Sequence, residues 1–227
     1  TDVITINVND GDGSNINATD LSTLGGKTAG TVTVTEAVDI SGTTDEVTAA
    51  LVTTGSLVVV SDATVTLDDN PSVTDLNTIA GKTAGVVTAT LASTAKADLV
   101  ALSTASTDVI TIPVSDTVSV SELNAIAGKT GGPVTATVTT GNTASFSALA
   151  TDANDIITIN INDNPSVSDL NTIAGKTGGV VTATLATGNT ASFSALNTAA
   201  TDDITININD NPSVTYLNTI AGKTCLL

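Results

Sequence analysis

Apolar and polar residues alternate in short segments along this chain, and each segment is followed by a small helical pattern. Within residues 203–209, isoleucine occupies every second position, with threonine or asparagine between. This period of two predicts a strand with one buried face. Residues 210–212 then end the strand, and Ser213 is placed to cap a short helix. The apolar stripe of that helix is formed by Val214, Leu217 and Ile220.

A second pattern of the same kind fills residues 178–202. Val181, Ala183 and Leu185 alternate with threonine, which again predicts a half-buried strand. Phe193 and Leu196 then supply the apolar positions of a second short helix. The same places are held earlier in the chain by Phe146 and Leu149, and by Leu99 and Leu102.

The two patterns together form a repeat, which is marked by the triplet Gly-Lys-Thr. Its lysines are Lys27, Lys82, Lys129, Lys176 and Lys223; the last four are 47 residues apart, and the first precedes them by 55. A fixed period of this length is typical of solenoids and arrays. We therefore predict one repeat domain over residues 1–227, with units at about 1–60, 61–107, 108–154, 155–202 and a partial unit at 203–227.

One strand and one helix in about 23 residues cannot bury their own apolar faces, so neighbouring segments must cover them. Strands joined by helical crossovers run parallel and wind in a right-handed sense. The predicted fold class is α/β or mainly β. It is a right-handed solenoid of about nine coils, each with one parallel strand and one short helix.

The Gly-Lys-Thr triplet also ends the phosphate-binding loop of nucleotide-binding proteins, but that loop needs an earlier glycine. Leucine stands at that place in all five copies, as at Leu170 and Leu217. The triplet also follows a predicted helix instead of opening one. We therefore interpret its glycine as a helix C-cap, with the lysine near the negative helix end, and predict no nucleotide binding.

Composition narrows the function further. The formal charge is −17, which disfavours nucleic acids as partners, and no apolar run is long enough to predict membrane insertion. The chain contains no histidine and no arginine, and aromatic residues make up 1%. The chain therefore lacks a Ser-His or Cys-His pair, has no arginine to stabilise a developing anion, and has almost no aromatic residue to stack a sugar, and we predict that the protein is not an enzyme.

One stretch, residues 9–21, breaks the repeat after a predicted strand at residues 3–8. It is rich in oxygen ligands and glycine, and it resembles the calcium loop of EF-hand and dockerin modules, although Gly11 stands where that loop has its third ligand. The resemblance implies a Ca²⁺ site, with a plain polar turn as the alternative. The candidate metal ligands are Asp10, Asp12, Asn15, Asn17 and Asp20.

Acidic residues also recur on both sides of the predicted strands. Asp108, Asp155 and Asp203 precede strands, and Asp163 and Asp210 follow them. We expect these carboxylates to form a solvated acidic rim that keeps the protein soluble.

The pattern I-x-I-x-x-N at residues 159–164 and 206–211 resembles the core of leucine-rich repeats, which implies stacked coils. The whole chain resembles the Thr-rich tandem modules of giant cell-surface and secreted proteins of cyanobacteria and marine bacteria. That resemblance implies a structural or adhesive role, outside the cell or at its surface, and a chain that is a piece of a longer protein. A calcium-dependent module of a giant adhesin is an alternative function.

Two further expectations concern surfaces. Neither end has a polar capping unit, so we expect head-to-tail self-association into a filament, fibre or surface layer, or cover by flanking repeats. Cys225 is interpreted as an incidental thiol. Outward Thr-x-Thr pairs, such as Thr182 with Thr184, form a regular hydroxyl array, and ice binding is therefore a second alternative.

Overall fold

The computed structural model describes residues 2–225, in which short parallel strands alternate with short helices. The predicted α/β class and the repeating strand and helix architecture are confirmed. Residues 1, 226 and 227, which the sequence analysis assigns to the first and last repeat units, lie outside the described residues.

The elements are short throughout the described part of the chain. The strands are β1 Ile6–Val8, β2 Asn15–Asn17, β3 Val32–Val34, β4 Asp39–Gly42, β5 Val58–Val59, β6 Thr64–Leu67, β7 Val87–Thr90, β8 Val109–Val118, β9 Val134–Val138, β10 Ile156–Asn160, β11 Val181–Thr184 and β12 Asp203–Thr205. The helices are α1 Ala18–Gly25, α2 Thr44–Val47, α3 Val73–Ala80, α4 Lys96–Leu99, α5 Val120–Ala127, α6 Thr143–Ser147, α7 Val167–Ala174, α8 Thr190–Phe193 and α9 Val214–Ala221. A π-helical turn at Thr48–Val52 and a 3₁₀ turn at Thr54–Ser56 complete the set.

The chain divides into two compact units. The first runs up to Pro113 and includes Gly128–Gly132, and the second contains Val114–Ala127 and the residues from Pro133 onward. The division falls inside the predicted repeat at 108–154, within strand β8, and not at a repeat boundary.

The first unit contains two parallel sheets. β1, β3 and β5 form a small sheet, with Val32 opposite both Ile6 and Val58. β2, β4, β6, β7 and the beginning of β8 form the other in that order, with Ile40 opposite Ile16 and Val65.

The small sheet was not expected from the sequence. The strand predicted at residues 3–8 is present only as β1, and it pairs in the small sheet. The strand of the larger sheet in this coil is β2, which lies inside the stretch predicted to be a loop. Its three residues Asn-Ile-Asn alternate correctly but are too few for the period of two to be recognised.

In the second unit, β9, β10, β11 and β12 are neighbours in chain order and all pairs are parallel. Ile157 lies opposite Ala136, and Ile204 lies opposite Ala183. This order requires each helical segment between two strands to return the chain to the start of the next strand.

The core is made almost entirely of the aliphatic residues that the alternation predicts. In the second unit, Val181, Ala183 and Leu185 of one coil are buried, as are Ile157 and Ile159 of the coil before it. The apolar residues predicted for the short helices of the second pattern are buried, as expected. They are Leu99, Leu102, Phe146, Leu149, Phe193 and Leu196.

Helix ends follow the predicted capping chemistry. The hydroxyls of Ser72, Ser166 and Ser213 each accept a hydrogen bond from the backbone N–H three residues later. The glycine of the Gly-Lys-Thr triplet is the C-cap, as predicted, at Gly26, Gly81, Gly175 and Gly222. These glycines have φ near −70° and remain right-handed. Among residues 2–225, no helix is both long enough and apolar enough to span a bilayer.

Candidate functional surface

The solvent face of the larger sheet in the first unit carries a row of hydroxyl and amide side chains. Asn17, Ser41, Thr66 and Thr88 are each opposite the next across β2, β4, β6 and β7. Because parallel neighbours are about 4.8 Å apart, this row repeats at that spacing. Thr90 lies opposite Thr111 in a second row.

The second unit has a similar solvent face, with more variation. Thr137 lies opposite Thr158, and Thr184 lies opposite Thr205. Between these pairs, Thr182 lies opposite Asn160 on one side and Asp203 on the other. Hydroxyl, amide and carboxylate groups therefore share the face.

Apolar side chains interrupt both rows. Val109 lies opposite Thr88, and Ile156 lies opposite Thr135; both are exposed. Val180, just before β11, is exposed as well. The face is therefore a mixed β-branched and polar surface and not a continuous array of hydroxyls.

Beside the sheet, polar side chains connect successive coils through the backbone. The side-chain amide of Asn171 donates to the carbonyl oxygen of Ala195 at 2.8 Å and accepts from the N–H of Asn197 at 2.7 Å. Asn77 and Asn124 make the same two bonds to the coils that follow them. We refer to this pair of bonds as the Asn bracket. It satisfies backbone groups that the short helices leave without partners.

Three aspartates make a second kind of bracket and are buried. Asp155 is 8% exposed, and its carboxylate accepts from the N–H of Val134 at 2.8 Å and of Asp152 at 3.0 Å. Asp108 and Asp202 repeat this arrangement. The expectation of a solvated acidic rim is therefore wrong for Asp108 and Asp155. In the last repeat, the buried residue is Asp202, and Asp203 is exposed.

The threonine of the Gly-Lys-Thr triplet bonds to the strand of its own coil. The Thr177 hydroxyl accepts from the N–H of Ile157 at 2.7 Å and lies 2.9 Å from its carbonyl oxygen. Thr28, Thr130 and Thr224 occupy the same place relative to Ile4, Ile110 and Ile204. This bond therefore identifies equivalent isoleucines in the different coils.

Two lysines of the triplet bind backbone carbonyls of the preceding coil. The ammonium groups of Lys129 and Lys176 donate to backbone carbonyls just after the preceding short helix, those of Leu102 and Leu149 respectively. Both lysines follow the end of their own helix in the chain, as predicted, but their ammonium groups bind these earlier carbonyls. A cation at carbonyls near a helix C-terminus is favourable in either position. The prediction that no nucleotide binds remains a prediction.

Two exposed carboxylates cap helices in the preceding coil. The hydroxyl and the N–H of Thr143 donate to Asp163 at 2.6 and 2.9 Å, and Thr190 donates to Asp210 in the same way. These bonds, the hydroxyl first, hold the pKa of Asp163 and Asp210 below the ordinary value.

The candidate calcium ligands do not share one loop. Asp10 and Asp12 lie in the turn between β1 and β2, and Asp12 accepts from the N–H of Ala37 at 3.1 Å. Asn15 and Asn17 lie on β2, where Asn17 also caps α1 by accepting from Thr19.

Asp20, the fifth candidate ligand, is in the first turn of α1. Among residues 2–225, no three His, Cys, Asp or Glu side chains form a group that could hold a metal ion. Calcium binding here stays a prediction.

The Asn and Asp brackets were not predicted from the sequence. Each of these side chains bonds to backbone about 20 to 26 residues away, and local sequence patterns do not reveal such a contact. A signal was available. Asparagine recurs at one place in four copies, Asn77, Asn124, Asn171 and Asn218, on a helix where a solvated position would be free to vary.

Comparison with known proteins adds no relative to this picture. No protein-family model matches the chain, and no curated protein matches it.

Proposed function

We propose that this protein is a structural or adhesive repeat protein that acts outside the cell or at its surface. In this proposal, its coils form one right-handed solenoid of about nine coils, each with one strand and one short helix in about 23 residues. Copies join end to end in a filament, fibre or surface layer.

The observation that carries the proposal is the recurrence of the Asn and Asp brackets at the repeat spacing. These polar side chains are used to join backbone to backbone instead of converging on a ligand. An arrangement of that kind adds length and surface with each repeat and does not build a distinct pocket.

Composition and resemblance support the same conclusion. The chain has no histidine or arginine, which removes the commonest general base and the strongest anion-binding side chain, and so we propose that it is not an enzyme. Its likeness to Thr-rich modules of giant surface proteins supports the location and the structural role.

The direct test is electron microscopy of the purified chain and of the native material. Elongated fibres or a regular array support the proposal. Isolated particles in both samples contradict the assembly part of it, while fibres seen only in native material would place the assembly contact in flanking repeats.

Ice binding is a second candidate, favoured by the paired threonines of the sheet face, such as Thr137 with Thr158 and Thr184 with Thr205. Val109, Ile156 and Asp203 interrupt that face and count against it. Thermal hysteresis with faceted ice crystals would establish this function, and its absence at millimolar protein would remove it.

A calcium-dependent adhesin module is the third candidate. Asp10 and Asp20 are exposed, which leaves them free to bind an ion. Metal bound only to the folded state raises the melting temperature by mass action. The melting temperature should therefore rise in millimolar calcium and fall back with chelator. An unchanged melt, identical to that of Asp10→Ala, contradicts this candidate.

A further inference from the structure

Neighbouring coils of the second unit are joined by two different sets of side chains, which alternate along the chain. Residues 133–153, 154–176, 177–200 and 201–225 each contain one strand and one helix. We call the boundary between 154–176 and 177–200 the amide boundary. The boundaries before and after it, between 133–153 and 154–176 and between 177–200 and 201–225, are called carboxylate boundaries.

Neutral side chains cross the amide boundary. Asn171 forms its Asn bracket with the following coil. The side-chain amide of Asn164 donates to the carbonyl oxygen of Thr184 at 3.0 Å. The hydroxyl of Thr177 bonds to the backbone of Ile157. Hydrogen bonds between uncharged groups each add modestly to stability, because water competes for the same groups in the unfolded chain.

Charged side chains cross the carboxylate boundaries. Asp155 and Asp163 accept hydrogen bonds from the preceding coil, and the ammonium group of Lys176 donates to carbonyl oxygens of that coil. Asp202 and Asp210 repeat the carboxylate bonds at the next such boundary. Bonds with one charged partner are about twice as strong as neutral ones. Burial of Asp155 and Asp202 also keeps water from competing for them.

Strand pairing and packing are weaker at the amide boundary as well. β10 pairs with β11 at two positions, whereas β9 with β10 and β11 with β12 pair at three. A groove lies between the coils here, with Pro165 and Val167 on one side and Leu185 and Phe193 on the other. Atoms that line an unfilled groove lack packing partners. A groove also lies beside the Asn bracket of Asn77 in the first unit.

We propose that the second unit is an extensible tether that lengthens under tension two coils at a time. The chain crosses each boundary once, so tension along it acts on the boundaries in series, and the amide boundary opens first. Each side then keeps two coils joined by a carboxylate boundary. One coil cannot bury its own apolar face, so the loss of one exposes the other and both unravel together.

This device converts load into length in large steps. Neighbouring strands are about 4.8 Å apart, so two folded coils span about 1 nm, whereas 47 extended residues reach about 16 nm. The inference rests on the proposed structural or adhesive role, in which the protein carries load between two attachments. It does not depend on whether copies assemble end to end.

Single-molecule pulling of the full chain tests the step size. One handle is attached at Cys225, the single cysteine, which is exposed. The other is attached through Thr135→Cys on the exposed face of β9, so that force acts on residues 135–225. We expect two steps of about 15 nm each. Four steps of about 8 nm, or one of about 30 nm, would overturn the inference.

Variants in this background identify which boundary sets each step. Asn171→Ala removes an Asn bracket, so it should keep both steps and speed the first opening about tenfold at fixed force. Asp155→Asn should split the first 15 nm step into two of about 8 nm. If that variant does not fold, the double variant Asp163→Asn, Lys176→Met tests the same boundary nearer the surface.

Asp169→Asn is the matched control, because this exposed carboxylate bonds to Ser166 of its own helix and crosses no boundary. It should pull like the parent. A control that splits the step as the boundary variants do would contradict the assignment of the carboxylate boundaries.

The same experiment separates this inference from the proposed assembly. Two-coil steps in a chain that forms no fibres support the inference and contradict end-to-end assembly. Fibres formed by a chain that unfolds in a single step contradict the inference and leave the proposed function standing.

Discussion

The helix that precedes each Gly-Lys-Thr triplet is present in both units, but its neighbours in the first coils differ from its neighbours in the second unit. The last residue of that helix is alanine at Ala174 and Ala221, and it is glycine at Gly25. In the first unit, the backbone of Ser56 approaches α1 so closely that a Cβ on Gly25 would lie 1.8 Å from the Ser56 carbonyl oxygen. A neighbouring segment of irregular length has therefore determined which residue the repeat can use.

That irregular segment explains the 55-residue interval between Lys27 and Lys82. It contains the π-helical turn at Thr48–Val52, a 3₁₀ turn, and Leu57 in the left-handed region at φ 56°. A non-glycine residue in that region is strained unless its surroundings hold it there. The repeat therefore tolerates extra residues between α1 and α3.

The largest loss of stability should come from replacing the buried leucine that occupies the equivalent helix position in the two regions. Leu21→Ala and Leu170→Ala each remove a buried side chain and should each lower the free energy of unfolding by about 2–5 kcal/mol. Urea denaturation measures both. If Leu21→Ala were nearly neutral while Leu170→Ala was not, the first coil would lack the core that the comparison assigns to it.

A smaller loss of stability should be found in the first region and not in the second. Gly25→Ala forces a methyl group against backbone and should cost about 1–3 kcal/mol. Gly175→Ala is the control, because its Cβ would meet only ordinary contacts, from 3.5 Å. Thermal melts compare the two variants. Equal melting temperatures would mean that the approach of Ser56 does not constrain α1.

Removal of the residue at the bracket position should lower the free energy of unfolding only in coils that have an Asn bracket. Asn171→Ala breaks two hydrogen bonds to the next coil and should cost about 1–2 kcal/mol in urea denaturation. Ser22 holds the equivalent place in α1 and bonds within its own helix, to Thr19. Ser22→Ala should therefore stay within about 0.5 kcal/mol of the parent. A larger loss for Ser22→Ala than for Asn171→Ala reverses the comparison.

The parts of the fold that depend on neighbouring residues could be predicted from the sequence. Alternation identified the strand at Ile204, and the pattern of serine before an apolar stripe identified the helix that starts after Ser213. Capping and burial of alternate positions act within a few residues, so local sequence contains the information.

The parts that depend on another coil could not be predicted in the same way. Asp155 was expected in solvent, since its hydrogen-bond donor, the N–H of Val134, lies 21 residues earlier and local sequence does not reveal it. Asn15 was placed in a loop, since Asp39, its partner on the neighbouring strand, is 24 residues later. Only the fixed spacing of asparagines could have indicated such contacts. The Thr-x-Thr pairs of the candidate surface were therefore predicted, but the pairing of residues between neighbouring strands was not.

The smallest effect is a dependence on pH. Folding lowers the pKa of Asp163 through the hydroxyl of Thr143, so this contribution to stability is present above the unfolded pKa, near 4, and is lost as pH falls through the lower folded value. Glu46 of the first unit has a lowered pKa through Thr43 instead. Thr143→Val should be less stable than the parent at pH 6, and the difference should shrink below about pH 4. A constant difference in urea titrations would show that the Asp163 charge does not contribute.

End-to-end assembly is the central claim, and sedimentation velocity of the purified 227-residue chain tests it most directly. The account predicts a sedimentation coefficient that rises with protein concentration from the 22.3 kDa monomer through a series of larger species without a fixed end point. A single 22.3 kDa species at all concentrations, together with native material that shows no fibre or array, would contradict it, and so would a closed dimer that grows no further.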